Sequence, residues 1–154
     1  MRRLCWFVTV VFAATSLSLA YVFLIRGTTV PASDGRTAIL LAAGERDLVL
    51  AEMRGFLVAV QQITAAVARD DVAGVGTAAR RVGTAARHGV PASLIGKLPV
   101  EFKALGFDTH QGFDQLAMDA EQLGDTGTVL AALANLMNNC IGCHAAYRID
   151  LEGR

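Results

Sequence analysis

Asn138-Asn139-Cys140-Ile141-Gly142-Cys143-His144-Ala145-Ala146-Tyr147-Arg148, close to the C-terminus, is the stretch on which the reading of this chain turns. Cys-x-x-Cys-His is the attachment signature of a c-type haem. Its two thiols become thioethers to the porphyrin and the adjacent histidine becomes an axial ligand to iron. On a helix, Cys140, Cys143 and His144 stand at i, i+3 and i+4 and share one side, as a clamped porphyrin requires. A redox dithiol would come with a βαβ pattern, which the chain lacks. A structural zinc would need further ligands, and His88 and His110 are scattered along the sequence.

Upstream, apolar residues fall at helical spacing in four segments. The first runs from about Arg36 to Ala68, with Leu50, Met53, Leu57, Val60, Thr64 and Val67 on one face. The second starts after Asp70 or Asp71 as N-cap and reaches about His88. Gly74, Gly76 and Gly83 weaken its intrinsic helicity, so it depends on close packing. The third begins at Pro99, a residue suited to a first turn, and continues to about Leu123 with Phe102, Leu105, Thr109, Phe113, Leu116 and Leu123 inward. The fourth follows Asp125 or Thr126 and carries Leu130, Leu133, Leu136 or Met137, then the haem motif and Tyr147. Four amphipathic helices with short connections predict an all-α fold, an antiparallel four-helix bundle.

The front of the chain is different. Met1-Arg2-Arg3 precedes an uncharged run of 22 residues, Leu4 to Ile25, that stops at Arg26. Spanning a bilayer takes about 20 apolar residues. Residues 1–26 therefore read as an uncleaved membrane anchor, a transmembrane helix with a cytoplasmic N-terminus set by its arginines. The alternative is a signal peptide cleaved after Ser18-Leu19-Ala20, against which the apolar run continues through Ile25. Cys5, at the start of the run, reads as an inert thiol. Residues 27–35 read as a short linker and 36–154 as the helical domain, exported to the periplasm from the inner membrane. With Arg2, Arg3 and Arg26 assigned to the anchor, 11 of the 14 basic residues remain against 14 acidic ones. This mild negative balance argues against a nucleic-acid partner.

The haem motif at the end of the fourth helix, with Arg148 one turn after His144, resembles class II cytochrome c, the cytochrome c′ and cytochrome c556 group. Arg46, followed one turn later by Leu50 and then Met53, resembles that family's first helix, although Asp47 stands where the family usually has glutamine. The resemblance extends over the whole exported part and implies one covalent haem c. It further implies contacts from Arg46 and Arg148 to the haem propionates and pocket walls from Phe56 and Phe113. A homodimer through the first two helices is a further family habit.

The distal residue separates two functions. With Met53 as sixth ligand, the iron suits one-electron transfer with respiratory partner proteins. With Leu50 over the iron, it stays five-coordinate and binds nitric oxide or carbon monoxide. An enzyme is not expected, because no distal acid–base pair is evident in the sequence. His110, beside Asp108 and Thr109, reads as part of a polar helix edge, His88 as a favourable charge at a helix end, and Tyr147 as packing between helices.

Overall fold

Polarity alternates along Tyr147-Arg148-Ile149-Asp150-Leu151, the period of a strand with one buried face. In the computed structural model, which describes residues 2–153 apart from the side chains of Arg2 and Leu123, this segment is strand β3 (Tyr147–Leu151). It pairs in parallel with β2 (Thr37–Leu41), Thr37 opposite Tyr147 and Leu41 opposite Leu151. The short β1 (Thr29–Pro31) lies antiparallel on the other edge of β2. Ile39 and Leu41 point from this sheet into the interior and are fully buried. Two expectations are thereby corrected. Residues 27–35 hold a strand and a tight turn, closed by Ala32 N–H to the Arg36 carbonyl, in place of a linker. The helix expected from Arg36 begins only at Ala43. Ala38-Ile39-Leu40-Leu41 is a short apolar run that periodicity cannot assign to helix or strand, and pairing with β3 decides it. The chain is mostly helical, with a small sheet added.

The helices are α1 (Arg2–Ala20), continued by a π-helical turn over Tyr21–Arg26, α2 (Ala43–Val67), α3 (Val72–Arg80), α4 (Ala92–Lys97), α5 (Val100–Leu123) and α6 (Thr126–Ala146). Asp71 caps α3 by accepting from Gly74 N–H at 2.8 Å, and Asp125 caps α6 by accepting from Gly127 and Thr128 N–H. This is the usual way of satisfying the free amides of a first turn. The second helix stops at Arg80, short of the expected His88, and a 3-10 turn follows over Thr84–Arg87. There the Asp114 carboxylate takes both the amide and the hydroxyl of Thr84, lying where a Cβ on Gly83 would stand. The stretch between this turn and Pro99, expected as a plain connection, contains α4.

Helix α2 packs on α3 and α6, and α5 packs on the same two. Phe56, Ile63, Val75, Phe113, Leu116, Val129 and Leu133 fill the space between them. Buried Gly76 lets α3 approach α5 beneath Glu121, which pairs with Arg80 at 2.5 Å. A second cluster lies under the sheet: Ile39, Leu41, Val49, Leu94, Leu98 and Phe102, with Met53 and Cys143 packed against it. Among the described residues, three helical stretches are long and apolar enough to cross a membrane: Arg3–Arg26, α2 and α6. The first has a mean hydropathy of 2.2 and buries none of its length, whereas α2 and α6, at 1.2, contribute faces to the core.

Ile63 is wholly enclosed at the centre of the larger cluster. Ile63→Ala is expected to lower unfolding stability by about 2–5 kcal/mol, measured by urea unfolding of the detergent-solubilised chain followed by circular dichroism.

Candidate functional site

Leu50, Met53, Leu57 and Val60 recur every three or four residues along α2 and face a cavity of about 460 Å³, within the roughly 300–1,000 Å³ typical of small-molecule sites. Helix α5 supplies Phe102, Leu105, Gly106, Thr109 and His110 to the opposite wall, and α6 closes it with Met137, Asn139, Cys140, Cys143 and His144. The three residues of the haem motif thus share one cavity with both candidate distal residues, some ninety positions earlier in the chain. Cys140 and Cys143 are free thiols, half-buried, and burial pushes both above the ordinary thiol value. His144 is exposed at the cavity edge.

The cavity surface is overwhelmingly apolar. Leu57 and Met137, on the lip, remain 70% and 40% exposed, and apolar surface left in water costs about 25 cal/mol per Å². Gly106 has no atom within 4 Å of where its Cβ would stand, so the glycine keeps that wall clear. Among the described residues, no three His, Cys, Asp or Glu side chains converge as they would around a lone metal ion. A porphyrin clamped by two thiols, with iron reached by His144, fits this donor set.

Phe56 forms part of the wall, stacked on Phe113 with centroids 5.6 Å apart. Phe113 lies behind it, buried and outside the lining, so only one of the two expected wall phenylalanines reaches the cavity. Arg46 and Arg148 do not line it either. Helix α6 ends at Ala146, so Arg148 is not one helical turn beyond His144. It lies on β3, pairing with Asp150 at 2.9 Å and Asp34 at 3.3 Å. Tyr147 packs edge-on against Phe102 at 5.5 Å instead of between helices. Arg36, unremarked in the sequence, donates to the carbonyls of His144 and Tyr147 and so holds the point where helix becomes strand.

His110 departs furthest from expectation. It is 3% exposed and in the cavity wall, not on a polar edge. Its Nδ1 lies 2.7 Å from the Val82 carbonyl and its Nε2 lies 2.9 Å from Glu52 Oε1. Both partners offer oxygen acceptors, an arrangement that favours the doubly protonated ring. Burial pulls its pKa down, but the hydrogen bonds to Glu52 and Val82 outweigh that, and the net shift is upward. The pair ties α2, the turn after α3 and α5 together. The spacing of α2 could have shown Glu52 beside Met53, but nothing local linked it to His110, 58 residues away.

No family model, curated protein or solved structure matches the chain.

Since the folded-state pKa of His110 is raised above 6.5, its stabilising contribution is complete below that value and is lost as pH rises through the raised one. The urea midpoint is expected to fall as pH rises above about 6.5. His110→Gln should flatten that decline, measured on both chains across the same series.

Proposed function

We propose that this chain is a membrane-anchored class II cytochrome c, an antiparallel four-helix bundle carrying one covalent haem c and passing single electrons between respiratory partner proteins. The observation that carries the proposal is the shared apolar cavity of Leu50, Met53, Cys140, Cys143 and His144. Cys140 and Cys143 would hold the haem as thioethers, and His144 would ligate its iron. When bound, the haem supplies a one-electron couple, and its potential follows the axial ligand set.

The surrounding residues perform binding, orientation and exclusion of water. Leu50, Leu57, Val60, Phe56, Phe102 and Leu105 give the ring an apolar bed. Met53, packed between the cavity and the cluster under the sheet, presents a thioether on the α2 wall and is the proposed sixth ligand. The protein is proposed as a carrier and not an enzyme. His110 is already engaged through both ring nitrogens and is not itself a free base. Residues 3–26 would span the inner membrane once, with Arg2 and Arg3 cytoplasmic and the haem domain in the periplasm.

A second reading stands on Leu50, which lines the same cavity one turn before Met53. If Leu50 covers the iron, the haem is five-coordinate and takes nitric oxide or carbon monoxide.

The full chain, made with the haem-attachment machinery, is expected to gain the mass of one haem. It should keep it through denaturing electrophoresis, and Cys140→Ala with Cys143→Ala should lose it. The oxidised spectrum is expected to show the long-wavelength charge-transfer band of methionine–histidine iron, and Met53→Ala should abolish it. Ready carbon monoxide binding by the reduced wild type, with no such band, would establish the gas-binding reading in its place.

A further inference from the structure

The uncharged run ends at Ile25, and the chain beyond it is built into the domain without slack. Gly27 N–H donates to the Val22 carbonyl at 2.9 Å, Thr28 N–H to the Lys97 carbonyl at 2.8 Å, and Leu40 N–H to the Thr28 carbonyl at 2.9 Å. Gly27 has φ of +66°, and a Cβ there would collide with the Lys97 carbonyl, so only glycine permits this approach. The ring of Phe23 lies 3.7 Å from where a Cβ on Gly96 would stand. The Lys103 ammonium donates to the Leu24 carbonyl at 2.9 Å. Helix α4 and the first turn of α5 therefore sit beside Phe23 and Leu24, residues still within the apolar run.

Depth follows from this contact. Phe23 is three residues before Arg26, less than about 5 Å along a helix axis. Whatever touches Phe23 shares the level at which the run meets the headgroups. Ile95 on α4, next to Gly96, is exposed and apolar, as is Val90 just before the helix. Lys97 is paired with Glu45 and Glu152, and the stretch from Val90 to Gly96 carries no charged side chain. The other end of the helices carries Arg69, Asp70, Asp71, Glu121 and Asp125, all charged, most of them exposed.

We infer that the segment from Val90 to Gly96 docks into the lipid interface and fixes the domain in one pose on the bilayer, its cavity end facing the membrane. The inference rests on the reading that residues 3–26 span the bilayer. The partner is a phospholipid surface, recognised by apolar insertion at the headgroup boundary. The cavity is lined by the first half of α5, residues 102–110, and by the last turns of α6. It therefore lies in the membrane-proximal half of the domain, within reach of membrane-bound partners.

The test uses the full wild-type chain in phosphatidylcholine vesicles containing a phosphatidylcholine with a diazirine near the glycerol end of one acyl chain. After illumination, lipid adducts are mapped by mass spectrometry. Adducts are expected on residues 3–26 and 88–97, at several-fold the level on 119–128, with Ile95→Asp lowering only those on 88–97. Adducts on 3–26 with none on 88–97, or equal labelling of 88–97 and 119–128, would overturn the docked pose alone. Absence of adducts on 3–26 would overturn the spanning reading and the pose with it.

Discussion

Parallel pairing of Thr37–Leu41 with Tyr147–Leu151 is the constraint on which the rest of the molecule depends. Parallel strands need a long crossover, and here the crossover is the whole helical body from α2 to α6. The pairing ends α6 at Ala146, immediately after His144, and it buries Ile39 and Leu41 against Val49, Leu98 and Phe102. Arg36 reinforces the junction through the carbonyls of His144 and Tyr147.

The same sheet reaches the other end of the chain. Strand β1 pairs with β2, and Thr28 bonds both Lys97 and Leu40, so the N-terminal apolar helix, the haem motif and the start of α2 meet at one pole. Two hydrophobic clusters divide the interior. The larger joins α2, α3, α5 and α6, and the smaller, under the sheet, is shared with Met53 and Cys143. Between them lies the cavity, its wall stiffened by the Glu52–His110 pair and the Phe56–Phe113 stack. Moving Met53 would disturb cluster and cavity together.

Much of this was legible from residue order. Helical spacing marked α2, α5 and α6, Pro99 and Gly124 bounded α5, and Asp71 and Asp125 marked caps, because these signals are local. The strands escaped because Ala38–Leu41 is too short for its period to discriminate and because Tyr147–Leu151 continues a strong helix. Its alternation of Tyr147, Ile149 and Leu151 with Arg148 and Asp150 was the available signal. His110 was misjudged because Asp108 and Thr109 are poor guides to a side chain that projects to a different face.

By itself, then, the sequence determined which side chains are grouped locally, Cys140 with Cys143 and His144 above all, and roughly how its helices run. Cys140, Cys143 and His144 lie within one helical turn or so of each other, and so does each residue of the Leu50–Met53 stripe. Local chemistry and a 3.6-residue period are written in neighbouring positions. Tertiary structure decided what those stripes face: that Leu50 and Met53 share a cavity with the cysteines, that Arg148 pairs with Asp34 and Asp150, that His110 holds Glu52, and that the N-terminal apolar helix meets α4. Each of these joins residues far apart in the chain. Such contacts are set by which buried surfaces close on one another, and no local pattern carries that information.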